Sequence, residues 1–335
     1  MERFPLDTYV CVTSIIACSV CAAMCLFSSD SSSFYMIGFA LLSMSIALPF
    51  PCSSSVIQHS IDPSYQSLLF SLLAVTSNLG SVASTQLMYS FQSPSHVFGL
   101  LAQFGAACAM AFYVFYPEES KEKKEESKSV SLSPRKNETL RLSLCFLAQF
   151  LVYLTRRIIS EWSSVYLPKL FPLSSEASIA LFTHASTAFE IAGVSSLLLF
   201  GFVSTKQCSD RFNRSIVRYL LCSIVAIFLL LLATQLRSEK GVLVASAIIG
   251  FFLSVPYALM EMVIMRECGR FSVSRMLSVA SLNTQLAGTV AGYPAGRLLQ
   301  LTGFEAAPAV EAGMLGVATM CLVVVERVKG KEKGE

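Results

Sequence analysis

Apolar runs long enough to cross a bilayer fill most of this 335-residue chain. A membrane-spanning helix needs about 20 mostly apolar residues. The runs are continuous rather than alternating at the ten-residue spacing of a membrane β-barrel, so helices are the spanning structure they predict. We therefore expect an all-α, polytopic membrane protein with about ten helices. The predicted spans are 9–28, 33–59, 66–91, 95–116, 141–167, 176–204, 216–236, 241–265, 275–300 and 306–326.

The composition agrees with a membrane protein and narrows the function classes. Charged residues make up 14% of the chain, whereas soluble domains carry about 25%. The net charge of +3 gives no case for a nucleic-acid partner. Most of the 11 cysteines lie in apolar runs, and Cys18-x-x-Cys21 has no second pair or nearby histidine, so we predict no metal site. No Ser/His/Asp array or glycine-rich phosphate loop is apparent, and we expect neither an enzyme nor a cofactor.

One polar segment divides the predicted helices into four and six. Residues 117–140 are rich in serine and charged residues, which is typical of a disordered linker. The sequence thus predicts a first part with four helices (1–116), a linker (117–140), a second part with six helices (141–327) and a basic tail (328–335).

Lysines and arginines are distributed unevenly between the predicted loops. They concentrate in the linker, after the sixth and eighth helices, and in the C-terminal tail. Ten helices place these four segments on one side together with the N-terminus. Because basic loops mark the cytoplasmic side, we expect both termini to be cytoplasmic. The sequence leaves three alternatives for the membrane that contains the protein: the endoplasmic reticulum, another organelle and the plasma membrane.

Arg156 and Arg157 lie near the middle of the apolar run 146–167. A charge at membrane depth costs roughly 2.5–3.5 kcal/mol on insertion scales. Such a residue needs a compensating partner charge, a water-filled cavity or an anionic ligand. This segment is therefore the first candidate for a functional site.

Three stretches of the chain resemble a known transporter family. They are YLTRRIISEWSSVYL at 153–167, AFEIAG at 188–193 followed by GFVSTK at 201–206, and the region from Pro256 to QLAGTVAGYP at 285–294. Together they resemble the organophosphate:phosphate antiporters of the major facilitator superfamily. That family includes glycerol-3-phosphate and hexose-phosphate transporters and the glucose-6-phosphate translocase of the endoplasmic reticulum.

The resemblance implies a fold and a mechanism. Residues 141–327 would form a complete C-terminal half, and 9–116 would correspond to helices three to six, without the first two of the family's usual twelve. In this family, two halves rock around a central site and exchange a sugar phosphate or glycerol phosphate for inorganic phosphate. The expected partners are thus a small anionic substrate and the lipid bilayer. The alternatives are a truncated gene product and a non-transporting phosphate-ester sensor or membrane scaffold.

The resemblance also implies a binding site around Arg156, which aligns with a phosphate-binding arginine of the family. A guanidinium suits phosphate because its planar fork donates parallel hydrogen bonds and keeps its charge. The alternative is an internal salt bridge with Glu190, near the middle of the next helix, and both roles are compatible. Tyr153 and Tyr257 offer hydroxyls to the substrate, and Gln285 offers an amide, although packing or helix contact explains each of them equally well.

The remaining candidates concern structure and gating. Arg157 points about 100° away from Arg156 around the helix, and Glu161 is four residues further on, so we expect these two to pair. Gly288, Gly292 and Gly296 form a small-residue stripe that lets another helix approach closely. Pro256 and Pro294 are expected to bend or loosen their helices, for static packing or for gating.

Overall fold

The computed structural model describes residues 62–90, 136–170, 175–204, 209–268 and 273–334, Phe271, and isolated helical positions between 16 and 23 and between 99 and 107. The described residues form helices and short turns, with no strand among them, which confirms the all-α prediction. The helices are α1 (Pro63–Ser90), α2 (Lys136–Leu170), α3 (Ser175–Ser204), α4 (Ser209–Gln235), α5 (Glu239–Glu267), α6 (Val273–Ala291), α7 (Tyr293–Thr302) and α8 (Ala307–Gly334), the last preceded by a 3-10 turn, Phe304–Ala306.

Within these residues, six helices are long and apolar enough to cross a membrane: α1 to α5 and α8. They correspond to the predicted third, fifth to eighth and tenth spans. Apart from the isolated positions between 16 and 23 and between 99 and 107, the predicted first, second and fourth spans lie outside the described residues, as does most of the linker.

The predicted ninth span, 275–300, is not one helix. Instead α6 ends at Ala291 and α7 begins at Tyr293, with Gly292 between them at the break. Pro294 occupies the first turn of α7, where its missing N–H costs no hydrogen bond. Hydropathy continues across the break, so the apolar pattern alone does not show it.

Two helix ends differ from the sequence-based boundaries. Helix α2 begins at Lys136, so the last residues of the predicted linker are helical, and α8 continues to Gly334 through most of the predicted tail. Lysine and glutamate are good helix formers, and a helix can therefore extend beyond its apolar span. Hydropathy predicts only the part of each helix that suits lipid.

The turn between α4 and α5 has a local cause. Arg237 takes the left-handed conformation at φ 51°. The Ser238 amide donates to the Ala233 carbonyl (3.0 Å) and the Arg237 amide to that of Thr234 (3.1 Å), which is the Schellman pattern of a helix end. The Ser238 hydroxyl then caps α5 by accepting from the Gly241 amide at 3.1 Å.

Helices α3 and α5 approach each other closely through glycines. A Cβ built on Gly250 of α5 would overlap the backbone of Phe189 in α3, and one on Gly193 would overlap the Ser254 hydroxyl. Only a residue without a side chain allows the two backbones this separation. The close contact fixes the part of α3 that carries Glu190.

The chain divides into two compact units. One comprises Met1–His59 and Gln86–Ser133, and the other comprises Ser60–Thr85 and Pro134–Glu335. The sequence placed residues 60–85 with the N-terminal half, whereas the structure groups them with the C-terminal helices. The reason lies in polar contacts from α1 to α2 and α3, which belong to the candidate site.

Candidate functional site

A buried ion pair joins α2 to α3. One nitrogen of Arg156, Nη2, donates to both carboxylate oxygens of Glu190, at 2.8 and 3.0 Å. Both side chains are almost fully buried, with 8% and 4% of their surface exposed. The salt bridge expected from the sequence is therefore present, and it compensates the charge that Arg156 brings into an apolar helix.

Aromatic rings enclose the guanidinium of Arg156. Its central carbon lies 4.7 Å from the ring centroid of Phe189 and 4.7 Å from that of Tyr257. The ring of Tyr153 in turn lies 4.3 Å from that of Tyr257. These contacts attract a cation through the electron-rich ring faces and exclude water from it. Four of the five predicted substrate-binding residues thus lie together: Tyr153, Arg156, Glu190 and Tyr257.

Helix α1 completes the cluster with two residues that we did not predict as site residues. The Asn78 side-chain oxygen accepts a hydrogen bond from Arg156 Nη2 at 3.2 Å, and the Ser81 hydroxyl donates to Glu190 at 3.3 Å. The only sequence signal for Asn78 is an amide inside an apolar span, where polar groups are costly and tend to have a specific role.

The cluster retains hydrogen-bonding capacity. Arg156 Nη1 and Asn78 Nδ2 are buried donors with no hydrogen-bond partner among the described residues. Most buried donors in proteins are paired, so each such group calls for an explanation. A cavity of about 30 Å³ is lined in part by Glu190, Ser160 and Ser186. That volume suits a water molecule.

The fifth predicted residue, Gln285, does not join the cluster. Its side chain is exposed on α6. Its near neighbour Asn283 instead links α6 to α2, donating to the Phe146 carbonyl at 2.8 Å and to the Gln149 side-chain oxygen at 3.0 Å. The polar face of α6 therefore serves helix contact at Asn283.

Arg157 and Glu161 form the expected pair one turn apart on α2, at 3.5 Å. Their side chains are 48% and 40% exposed. An exposed pair of this kind contributes little to stability. Arg156 is therefore the buried member of the two adjacent arginines.

Comparison with known proteins gives the family of the chain. The family model for the Major Facilitator Superfamily matches residues 1–292. The chain belongs to the major facilitator superfamily. Among curated protein sequences, none matches this chain.

Solved structures of other superfamily members show the same fold. The E. coli fucose:proton symporter aligns with a TM-score of 0.68 at 12% identity, over 96% of this chain and 84% of that one. The human organic anion transporter TETRAN aligns with a TM-score of 0.62 at 15% identity, over 95% and 82%. A bacterial homologue of the iron transporter ferroportin aligns with a TM-score of 0.56 at 15% identity, over 97% and 84%. Fold and family are those of multi-pass membrane transporters of small molecules.

The glycines and prolines that the sequence analysis singled out differ in what they contact. A Cβ on Gly296 of α7 would overlap the Trp162 ring, so a close approach to α2 exists there. No described atom lies near the corresponding point on Gly288, and Gly292 meets only its own helix. Pro256 lies within an unbroken α5, whereas Pro294 follows the break between α6 and α7.

Trp162 links α2 to the break between α6 and α7. Its indole Nε1 donates to the carbonyl of Ala291 at 2.6 Å, and its ring packs on Gly296. It therefore contacts both sides of the α6–α7 break. The break is held against α2 by a hydrogen bond and a close ring contact.

A second buried polar cluster ties together the ends of four helices. The Glu267 carboxylate at the end of α5 accepts from Lys329 Nζ of α8 at 2.7 Å and from the Asn213 amide of α4 at 3.3 Å, and lies 3.7 Å from Arg141 Nη1 of α2. The Asn213 amide also donates to Glu326 at 2.8 Å. Sequence reasoning missed this cluster because its members come from four separate helix ends.

The Glu267 cluster supports the predicted order of spans. It brings the starts of α2 and α4 to the same end of the unit as the ends of α5 and α8. The basic loops predicted to lie on one side adjoin these helix ends. The assignment of that side to the cytoplasm rests on the distribution of basic residues and stays a prediction.

Proposed function

We propose that the protein is an antiporter that exchanges a sugar phosphate or glycerol phosphate for inorganic phosphate, with Arg156 contacting the phosphate. The observation that carries the proposal is how the two terminal nitrogens of the Arg156 guanidinium are hydrogen-bonded. Nη2 donates to Asn78 and to both oxygens of Glu190, while Nη1 is buried with no hydrogen-bond partner among the described residues. A phosphate oxygen accepting from Nη1 would satisfy it without first breaking the pair with Glu190.

The chemistry of the surrounding groups supports a phosphate ester over a neutral sugar. A guanidinium fork binds phosphate oxygens through two parallel bonds. Asn78 adds an unpartnered amide donor next to it, and the hydroxyls of Tyr153 and Tyr257 would supply donors to ester or sugar oxygens. The resemblance of residues 153–167 to the organophosphate:phosphate antiporters points to the same substrate class.

The ion pair also suggests why transport would be an exchange. A phosphate that first binds Nη1 would then compete with Glu190 for the same guanidinium, so the contact between α2 and α3 would weaken once the substrate is bound. In the empty site the pair would stay closed, and a bound phosphate would favour the other conformation by its differential affinity for the two states. Two phosphate-bearing substrates would then cross in turn, each replacing the other.

One observation favours a second candidate function. The cavity beside Glu190 has a volume of about 30 Å³, which is far below the 300 Å³ or so of an ordinary ligand pocket. A phosphate-ester sensor or membrane scaffold would need the buried pair but no route through the protein. Binding of substrate without flux would favour this alternative.

The test is uptake of labelled glucose-6-phosphate into liposomes that contain the purified chain. Uptake that requires phosphate inside the liposomes would support exchange. The informative variant is Arg156→Gln, and the matched control is Arg157→Gln, which removes the same charge from the neighbouring exposed position. We expect Arg156→Gln to lower uptake by at least tenfold and Arg157→Gln to leave it within about twofold.

Three results would contradict the proposal. Uptake that proceeds equally well without internal phosphate would exclude exchange. Equal uptake by the Arg156→Gln and wild-type proteins would remove Arg156 from the phosphate site. Saturable binding of glucose-6-phosphate by correctly inserted protein, without any uptake, would assign the sensor function instead.

A further inference from the structure

A basic cleft lies between α4 and α8, near the Glu267 cluster. It has a volume of about 420 Å³ and is lined by Arg214, Val217, Arg218, Val323, Glu326 and Arg327. All three arginines are exposed. The structure gives no ion pair between any of them and a described residue.

The charge of the cleft favours an anion. Three arginines face one glutamate, and Glu326 already accepts a hydrogen bond from Asn213 at 2.8 Å. The local excess is therefore positive and fixed, because arginine keeps its charge at any physiological pH. Guanidinium groups held around a concave surface suit the oxygens of a phosphate group.

Apolar stripes continue from the basic cleft along both helices. On α4, Leu221 and Val225 are exposed at helical spacing from Arg218. On α8, Val324 and Met320 are exposed at the same spacing from Arg327. Both helices thus present basic residues at one end and an exposed apolar surface beyond it.

We propose that this cleft binds the headgroup of an anionic phospholipid, whose acyl chains lie along the apolar stripes of α4 and α8. The three arginines contact the headgroup phosphate, and the stripes contact the chains. A soluble anion would use the arginines alone, so the stripes favour a lipid. The basic loops predict that this end faces the cytoplasm, where membranes carry their anionic lipids.

The test is retention of phosphatidic acid by purified protein, measured by native mass spectrometry against an equal amount of phosphatidylcholine. The cleft variant combines Arg214→Gln, Arg218→Gln and Arg327→Gln. The matched control combines Arg237→Gln, Lys240→Gln and Arg297→Gln, which removes three exposed positive charges elsewhere. We expect wild type and control to prefer phosphatidic acid at least tenfold, and the cleft variant to lose that preference.

Other outcomes would overturn the proposal. Equal preference in the cleft and control variants would show that the lipid does not use these arginines. Displacement of phosphatidic acid by the same concentration of inorganic phosphate would assign the cleft to a soluble anion. The inference does not depend on substrate exchange: Arg156→Gln should abolish uptake and leave lipid retention unchanged.

Discussion

Arg156 holds Glu190 through a single nitrogen, with both carboxylate oxygens within 3.0 Å of Nη2. The pair couples α2 to α3, and Asn78 and Ser81 add α1 to the same network. Its geometry leaves the second terminal nitrogen of the guanidinium available. The same residue can therefore stabilise the resting protein and contact a ligand.

Breaking this pair from one side should destabilise the protein strongly. Glu190→Gln leaves Arg156 as an uncompensated buried charge, a change that typically costs about 3–5 kcal/mol. We expect a clear fall in melting temperature in detergent. The double variant Arg156→Met with Glu190→Met removes both charges and should recover most of the stability but no phosphate-dependent uptake.

Arg157→Gln is the control for this experiment. It breaks only the exposed pair with Glu161, which is worth about 0–1 kcal/mol, so its melting temperature should stay close to that of the wild type. If Glu190→Gln had the same melting temperature as Arg157→Gln rather than a much lower one, the buried pair would not be a stabilising contact.

The close packing of α3 on α5 gives a second prediction. Gly250→Ala places a methyl group against the backbone of Phe189, and backbone cannot move aside as a flexible side chain can. We expect the free energy of unfolding to fall by about 1–3 kcal/mol, the usual cost of overpacking. Gly313→Ala in α8 is the matched control, because no described atom lies within 4 Å of its added Cβ.

Gly313→Ala should leave the free energy of unfolding unchanged or raise it by up to about 1 kcal/mol, because alanine has the better helix propensity. Thermal unfolding of the two variants in the same detergent measures the difference. Equal melting temperatures would mean that α3 and α5 do not pack through Gly250. Because Phe189 precedes Glu190, Gly250→Ala should also reduce uptake.

The sequence predicts the spanning helices and the central ion pair for clear physical reasons. Long apolar runs report which segments suit lipid, and a charge inside such a run requires compensation, so Arg156 and Glu190 could be paired by their depth alone. Asn78 could not be assigned to them, because it lies 78 residues before Arg156 and hydropathy does not report which helices are neighbours. The contact of Trp162 with Ala291 requires the same missing information.

The break between α6 and α7 illustrates a different limit. The sequence predicts a packing stripe at Gly292 and a bend at Pro294 within one span, since apolar residues continue on both sides. Whether such a span bends or breaks depends on contacts elsewhere. Here Trp162 of α2 supplies them by bonding to Ala291 and packing on Gly296.

The Glu267 cluster leads to a third stability prediction. Glu267→Gln leaves Lys329 and Arg141 without the carboxylate that both approach. We expect the free energy of unfolding to fall by about 3 kcal/mol, the lower end of the range for breaking a buried pair. The lower end applies because Lys329 retains some contact with solvent. Adding Lys329→Met should restore part of the melting temperature by removing one of the two cations that the Glu267 carboxylate contacts. Failure of this rescue would argue that the cluster acts by packing rather than by charge.

Arg237 offers a stabilising substitution. Its φ of 51° lies in the left-handed region, which costs a residue with a side chain roughly 1 kcal/mol relative to glycine. Arg237→Gly should therefore raise the free energy of unfolding by about 0.5–1 kcal/mol, since glycine suits the residue that ends a helix in a Schellman motif. Arg237→Ala removes the same charge and keeps the Cβ, so it should give no such gain. The melting temperatures of the two variants, compared in one detergent, separate backbone strain from charge: a higher value for glycine alone supports strain, and equal values would exclude it.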